Sequence, residues 1–168
     1  MKKLTFVKIT KEAEEKVKLF KELMLKYVKE LDDHKSRHTP KEFLLKWIDG
    51  IIEMQGENGR YLELCYYGEN LIGFLYGKID KAHHKGFIKV GYGYIMEFFV
   101  LPEYRLKGYG KEMFLRLENL FKSEGAKQMY LTADPITGKP FWEALGFIST
   151  GEFSPENKLK IYEKKIQL

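Results

Sequence analysis

The 168-residue sequence predicts a mixed α/β fold, and three observations lead to it. Two long amphipathic patterns of helical period come first, segments of alternating strand period follow residue 60, and residues 92–101 form a strand-like run that is apolar on both faces. A strand of the last kind belongs in the centre of a sheet that is covered on both sides. We therefore expect a mixed sheet of six to seven strands with helices on both faces, in the order β-α-α-β-β-β-α-β-α-β.

The first segment, Leu4 to Ile9, alternates as a short strand does. Thr10, with Glu14 close behind, is then expected to open a helix. Apolar residues recur at steps of three and four along that helix, at Ala13, Val17, Phe20, Met24, Tyr27, Val28 and Leu31. Lys and Glu fill the opposite face, so the pattern predicts a long amphipathic helix.

The dipeptide Thr39-Pro40 is a helix start signal, because proline suits the first turn of a helix. The apolar stripe of this second helix consists of Phe43, Leu44, Trp47, Ile48, Ile51 and Ile52. Gly56 and Gly59 are expected to stop it. Beyond them two alternating segments flank Gly68-Glu69-Asn70, and this arrangement predicts a β-hairpin.

The second half of the sequence alternates between strands and helices. Pro102 ends the apolar strand, and a glycine-containing turn follows it. The remaining elements are a helix marked by Met113, Phe114, Leu117, Leu120 and Phe121 and closed by Gly125, a strand at Gln128–Thr132, a short helix at Pro140–Leu145 and a last strand at Lys158–Ile166.

Composition sets limits on the class of protein. Lys and Arg number 29 against 24 Asp and Glu, a net charge of +5, and this mild excess is too dispersed to indicate nucleic acid binding. No apolar run approaches the roughly 20 residues of a membrane-spanning helix, and residues 1–30 lack the apolar region of a secretory signal. The single cysteine, Cys65, has no intramolecular disulfide partner. We expect a single domain over residues 1–168 and a cytoplasmic location.

The most informative stretch joins the apolar strand to the helix after it, and it reads Arg105-Leu106-Lys107-Gly108-Tyr109-Gly110-Lys111. Glycines at alternate positions let the backbone turn tightly and approach a ligand. Amides freed at a helix start, together with the helix dipole and three basic side chains, make a site for phosphate or pyrophosphate. The direct inference is anion binding.

Two familiar phosphate motifs do not fit this stretch. The Walker A spacing is absent, and the dinucleotide fingerprint fails because Met113 stands where it requires a third glycine. On its own the turn is also explained by glycines that serve only to turn the chain at a helix start.

A second block changes the interpretation. The pattern from Val100 to Lys111 is followed by Pro140-Phe141-Trp142-Glu143-Ala144-Leu145-Gly146-Phe147. Together the two blocks resemble the GNAT superfamily of acetyl-CoA-dependent N-acetyltransferases. The first is similar to that family's R/Q-x-x-G-x-G/A pyrophosphate motif and the second to its F-Y-E-K-L-G-F signature. The order of elements agrees with the resemblance over essentially the whole chain.

The resemblance implies a role for each part of the first block. In that family the strand matching Tyr94–Leu101 parts from its parallel neighbour, and acetyl-CoA, the co-substrate, enters the gap. Val100 is then expected to bond the pantetheine through its backbone, and the Phe98 N–H to stabilise the oxyanion. The amides of Leu106 to Lys111, with Arg105, are expected to hold the pyrophosphate.

Direct transfer requires a neutral amine, and only about one lysine-like amine in 2,500 is neutral at pH 7. Glu97 is the only acidic residue within the run 91–101, where an unpaired carboxylate would be costly to bury. Members of the resembled family often carry a carboxylate at or next to this position. We therefore expect Glu97 to be the catalytic base; the alternative is a carboxylate that faces solvent or pairs with a lysine.

The general acid is left open. Trp142 stands where many members of the family have a tyrosine, and an indole has no useful acidic proton. Tyr130, Tyr109 or water could substitute for it, or the thiolate could leave without an acid. A catalytically impaired module that binds CoA is therefore the alternative function, and a basic nucleic-acid-binding domain is a third hypothesis.

The expected activity is an acyl-CoA N-acyltransferase that moves acetyl to a primary amine in a ternary complex. The acceptor is expected to be a small-molecule amine or a protein amine. No metal, nucleic acid or membrane partner is expected, and a homodimer is left open.

Overall fold

The computed structural model describes residues 3–167, which contain seven strands and four α-helices. The strands are β1 (Leu4–Lys8), β2 (Arg60–Tyr67), β3 (Asn70–Ile79), β4 (Gly93–Val100), β5 (Gln128–Thr132), β6 (Ile148–Phe153) and β7 (Lys160–Lys165). The helices are α1 (Glu14–His34), α2 (Lys41–Glu53), α3 (Tyr109–Ser123) and α4 (Gly138–Ala144), with a short 3-10 helix at Pro102–Tyr104.

All seven strands belong to one mixed sheet, in the order β1-β2-β3-β4-β5-β7-β6. β1 pairs with β2 in antiparallel register, and β5 and β6 both run antiparallel to β7. β4 and β5 run parallel. The predicted mixed α/β fold is confirmed, and the structure adds β6, a strand that the predicted order lacks.

Two helix starts differ in detail from the prediction. α1 begins at Glu14 with Ala13 as its N-cap, and the Ala13 N–H donates to the Thr10 carbonyl at 3.2 Å. Thr10 therefore forms a turn before the helix and does not cap it. α2 begins at Lys41, directly after Pro40, so the proline precedes the first helical residue.

The described chain comprises two compact units. One contains the residues up to Leu75 together with Phe98–Met113. In this unit α1 packs on the sheet through aromatic edges: the rings of Phe20 and Tyr27 stand nearly perpendicular to Phe74, with centroids 5.1 and 5.8 Å away. Such edge-to-face contacts add specific attraction to the burial of apolar area.

The other unit contains Tyr76–Glu97 and the chain from Phe114 onward. Here α3 lies close to the sheet because Gly77 and Gly93 carry no side chain: a Cβ at either position would overlap the ring of Phe121. Phe114, Trp142 and Phe147 form an aromatic cluster that joins α3 to α4. Within residues 3–167, none of the helices combines the length and the apolar character that crossing a bilayer requires.

Candidate active site

The loop between β4 and α3 holds two residues in the left-handed region of backbone space. Leu106 has φ +61° and Gly108 has φ +86°. A leucine in this region is a conformational outlier, and such outliers cluster at ligand clamps. Successive amides around left-handed residues turn toward a common centre and form an anion-binding concavity. These two backbone angles are compatible with the predicted phosphate site, which stays a prediction.

Gly108 also leaves room for a ligand. A Cβ built on this residue would meet no atom within 4 Å, and Leu106 beside it is fully exposed. α3 starts at the next residue, Tyr109, so the positive end of the helix dipole is directed at this space. Open space, left-handed backbone angles and a helix start are features that a phosphate site can use, and binding of the CoA diphosphate here stays a prediction.

Arg105 does not extend away from the loop. Its Nε donates to the Val100 carbonyl at 2.8 Å, and its Nη2 donates to Glu30 on α1 at 2.9 Å. The guanidinium also lies 5.6 Å from the centre of the Phe99 ring. These contacts anchor the loop to the end of β4 and to α1, while a direct part for Arg105 in cofactor binding stays a prediction.

The other side chains of the loop take different directions. Lys107 folds back to donate to the Glu103 carbonyl at 3.2 Å, over the ring of Tyr104. Tyr109 packs on Tyr67 of β2, with ring centroids 5.0 Å apart. Lys111 lies exposed on the first turn of α3. Lys111 therefore places an exposed cationic side chain at this helix start.

The end of β4 departs from regular strand geometry. A Cβ on Gly73 of β3 would overlap the Phe99 carbonyl oxygen, so this carbonyl points out of the sheet. Just beyond β4, the Leu101 N–H donates to the Ile72 carbonyl at 2.8 Å. The kink lies between Phe98 and Val100, the two residues whose backbone is expected to contact the acetyl-CoA arm.

The parallel ladder between β4 and β5 is short. Over the described chain it contains two residue pairs, Gly93↔Met129 and Tyr94↔Tyr130, although β4 continues to Val100. Glu97 lies beyond this ladder and is half-buried, as is Phe98. The expected roles of Glu97 as base and of the Phe98 N–H as oxyanion donor stay predictions.

The charge of Glu97 contributes to the pKa of Tyr94, three residues earlier on β4. Burial, and then the negative charge of Glu97, hold the pKa of Tyr94 well above its ordinary value. The Tyr94 hydroxyl forms a hydrogen bond with Thr132, at the end of β5. This tyrosine therefore stays protonated at neutral pH.

Trp142 and the two tyrosines considered as the general acid all contact other residues of the protein. Trp142 is buried in its aromatic cluster. Burial and a hydrogen bond to Asp80 raise the pKa of Tyr130 far above its usual range. Burial and a hydrogen bond with Tyr67 also raise the pKa of Tyr109. A raised pKa makes either tyrosine a weaker acid, and proton donation by water or departure of the thiolate without an acid stays a prediction.

One buried charged cluster was not predicted from the sequence. Lys78 and Asp80, at the end of β3, are 5% and 1% exposed. The signal was present in the sequence, since two charged residues flank Ile79 at the end of a long apolar strand. An apolar strand seldom ends in two buried charges without a specific arrangement around them.

Comparison with solved structures identifies several of similar fold. The PaiA N-acetyltransferase from Thermoplasma acidophilum, in complex with coenzyme A, is 19% identical over 97% of this chain and 99% of that one, with a TM-score of 0.72. An acetyltransferase from Thermus thermophilus is 15% identical over 98% and 99%, with a TM-score of 0.71. AAC(6')-Iy, in complex with the bisubstrate analogue CoA-S-monomethyl-acetylneamine, is 17% identical over 89% and 94%, with a TM-score of 0.63.

Comparison of the sequence gives the family itself. No curated protein sequence matches the chain. The profile of the acetyltransferase (GNAT) family matches residues 17–147, which include most of α1, the loop before α3, and α4. This match covers most of the chain and confirms the expectation of an acyl-CoA N-acyltransferase at the level of the family. The chain belongs to the acetyltransferase (GNAT) family.

Proposed function

We propose that this protein transfers the acetyl group of acetyl-CoA to a primary amine by direct attack in a ternary complex. The observation that carries the proposal is the loop before α3, where Leu106 and Gly108 have left-handed backbone angles and a Cβ at Gly108 would meet no atom within 4 Å, directly before a helix start. The PaiA structure contains coenzyme A on a similar fold, which supports this choice of co-substrate.

The amides of Leu106 to Lys111 are assigned to the diphosphate. Backbone N–H groups at a helix start can bind phosphate oxygens without any side chain. Lys111 adds a cation on the first turn of α3. Arg105 contributes by holding the loop against Val100 and Glu30, so its effect on the phosphates is mainly indirect.

The reacting end is assigned to the kinked part of β4. Val100 would contact the pantetheine arm through its backbone, and the Phe98 N–H would stabilise the oxyanion that develops at the thioester carbonyl. Acetyl-CoA supplies the activated acetyl group. Gly73 supports this geometry, since its missing side chain leaves space for the out-of-sheet carbonyl of Phe99.

Glu97 is assigned as the general base that accepts the proton of the attacking amine, directly or through water. Its half-buried position on β4 supports the assignment, because Glu97 is the one acidic residue in the otherwise apolar run 91–101. The acceptor is a small-molecule amine or a protein amine. The bisubstrate analogue bound by AAC(6')-Iy supports an amine acceptor on this fold. Buried Cys65, the single cysteine, supports a cytoplasmic location.

The test is a matched pair of glycine substitutions at the two ends of α3. Gly108 and Gly125 have φ of +86° and +87°, and a Cβ at either position would meet no atom within 4 Å. Gly108→Glu and Gly125→Glu therefore impose the same backbone strain and the same charge. Only the first places a carboxylate in the proposed phosphate site.

Calorimetric titration with acetyl-CoA should show affinity reduced by about 100-fold or more in Gly108→Glu, because like charges would be forced together. Gly125→Glu should bind as the parent does. Equal affinities for acetyl-CoA in the two variants would reject the proposed phosphate site. Thiol release from acetyl-CoA across a panel of primary amines then tests turnover, and tight binding without turnover on any amine would favour the CoA-binding module.

A further inference from the structure

We propose that Asp80 is a positioning residue: through the hydroxyl of Tyr130 it fixes the point at which β4 and β5 part. The inference rests on the proposed function, because the reacting part of β4 begins just beyond that point. Asp80 is not assigned any contact with substrate. It acts through Tyr130 and Tyr94.

Asp80 joins the segment before β4 to β5. Its carboxylate is buried and accepts two hydrogen bonds at Oδ2, from the Tyr130 hydroxyl and from the Lys89 N–H, the latter at 2.8 Å. Its own N–H donates to the Tyr92 carbonyl at 2.9 Å, and its carbonyl accepts from the Gly91 N–H at 2.9 Å. One residue therefore holds the chain that leads into β4 and, at the same time, a side chain of β5.

The charge of Asp80 is balanced within the same unit. Lys78 Nζ lies 3.3 Å from Asp80 Oδ1 and 3.0 Å from His84 Nδ1, and the Lys81 N–H also donates to that nitrogen. A buried ion pair contributes little net stability, and well-packed apolar residues often replace one without loss. What such a buried network can supply is a defined geometry.

Tyr130 transmits this geometry to β4. Its ring stacks on Tyr94 with centroids 4.5 Å apart and an interplanar angle of 6°. Tyr94↔Tyr130 is also the second of the two ladder pairs between β4 and β5 over residues 3–167. The hydrogen bond to Asp80 fixes the Tyr130 ring, the ring fixes Tyr94, and Glu97 follows three residues later on the same strand.

A purely structural role would lower stability without changing the local geometry of β4. The test must therefore separate these two effects. Tyr130→Phe retains the ring and its stacking on Tyr94, and it removes only the hydroxyl that reaches Asp80. Tyr162→Phe is the matched control, because Tyr162 is also buried, at 2% exposure, and lies on β7 beside β5.

The first measurement is backbone amide exchange in the protein without ligand. In Tyr130→Phe the amides of residues 95–97 should exchange about 10-fold faster than in the parent, since the end of the ladder is no longer fixed. Tyr162→Phe should leave these amides as in the parent after correction for any change in global stability. Equal exchange in the two variants would overturn the proposal.

The second measurement is steady-state kinetics. Tyr130→Phe should lower kcat by about 10-fold or more, because a small displacement of a catalytic group is costly. Its affinity for acetyl-CoA should stay within about twofold of the parent, because the phosphate loop is unchanged. A parallel loss of stability and activity in both variants would show a structural role only.

Asp80→Leu is the second variant should Tyr130→Phe not fold. It keeps about the size of the side chain but removes the oxygen that accepts from the Tyr130 hydroxyl. The same increase in exchange at residues 95–97 is expected, and its absence overturns the proposal equally. Failure of the proposed function would be seen separately, as a parent protein that neither binds acetyl-CoA nor acetylates any amine.

Discussion

Arg105 donates through Nη2 to Glu30 Oε2 at 2.9 Å, and its Nε donates to the Val100 carbonyl at 2.8 Å. One side chain thus joins the proposed phosphate loop to the end of β4 and to α1. The ion pair is partly exposed, with the two side chains 33% and 23% accessible, so its own contribution to stability is modest. The hydrogen bond to the strand carbonyl is the part that orders the loop.

Replacement of the two partners should separate these contributions. Glu30→Gln is expected to lower the free energy of unfolding by about 0.5 kcal/mol, since it removes only a screened ion pair. Arg105→Ala should lower it by about 2 kcal/mol, because a charge-assisted hydrogen bond is lost as well. Urea denaturation of both variants measures the difference. A larger loss of unfolding free energy in Glu30→Gln than in Arg105→Ala would show that the hydrogen bond to the Val100 carbonyl is not the main contact that holds the loop.

Gly73→Ala should be strongly destabilising. The added methyl group would overlap the Phe99 carbonyl oxygen, and relief requires movement of β4. We expect a loss of about 3 kcal/mol in the free energy of unfolding, as for overpacking of a core. The measurement is chemical denaturation, accompanied by titration with acetyl-CoA, whose binding should weaken as the kink moves.

Gly50→Ala is the control for that substitution. Gly50 lies inside α2, where a Cβ would meet no atom within 4 Å. Alanine should therefore stabilise the protein by about 0.5 to 1 kcal/mol. If the two alanine variants shifted stability in the same direction, steric overlap at Gly73 would not be the cause.

Glu97→Gln tests the proposed base. The amide keeps the size of the side chain but cannot accept a proton, so turnover should fall by about 100-fold or more. The deficit should be largest at low pH, where few amine molecules are neutral, and should shrink as pH rises toward the pKa of the amine. The pH profile of kcat/KM measures this, with Glu69→Gln in the exposed hairpin turn as control. Identical profiles for Glu97→Gln and the parent would remove Glu97 from the mechanism.

Cys65 should be chemically silent in the folded protein. Burial, followed by the charges of Glu112 and Glu63, raises the pKa of its thiol to about 12. At pH 8 only about one thiol in 10,000 is then ionised, and the side chain has no access to reagents.

Treatment with a maleimide at pH 8 should therefore leave acetyl transfer intact and label the protein only after denaturation. Cys65→Ala should retain turnover. Rapid labelling of the native protein with loss of activity would contradict the buried, unreactive state of Cys65.

Asp32 should make the link between α1 and α2 sensitive to acid. Burial alone would raise its pKa, but hydrogen bonds from Arg37 and from the backbone and hydroxyl of Thr39 outweigh burial and hold the pKa below its ordinary value. A depressed folded-state pKa contributes stability that is present above the unfolded pKa, about 3.9, and is lost as pH falls through the folded value.

Asp32→Asn should accordingly cost about 2 kcal/mol at pH 7, the usual range for a hydrogen-bonded charge. The difference from the parent should shrink steadily below pH 4. Denaturation curves at several pH values measure it. A difference that stays constant down to pH 2 would show that the carboxylate charge is not what holds Arg37 and Thr39.

The sequence predicted most elements because their apolar periods are clear. Gln128–Thr132 has the predicted bounds, and the strand predicted at residues 92–101 forms as Gly93–Val100. β6 was missed because almost all of Ile148–Phe153 is exposed, at the edge of the sheet, with Gly151 inside it. Such a strand has no buried face, so no alternation of polar and apolar residues marks it.

The parts of the candidate site that could be predicted are those marked by residue types within one short segment of sequence. The glycines of the loop before α3 and the acidic residue in an apolar strand both show in the sequence. The partners of Arg105 do not, because Glu30 lies far away along the chain and only the fold brings it near. Asp80 was overlooked for the same reason, since its partner Tyr130 is fifty positions away.

The backbone angle of Leu106 has a further implication. A leucine at φ +61° with its side chain fully in water gains nothing from its own conformation or from burial. Contacts on either side, at Arg105 and Tyr109, must therefore impose the shape of the loop before any ligand arrives. When a loop is already ordered, ligand binding does not have to offset the entropy lost in ordering it. Substitutions elsewhere that loosen the contacts of Arg105 and Tyr109 should therefore weaken affinity for the ligand, although they change no atom that contacts the phosphates.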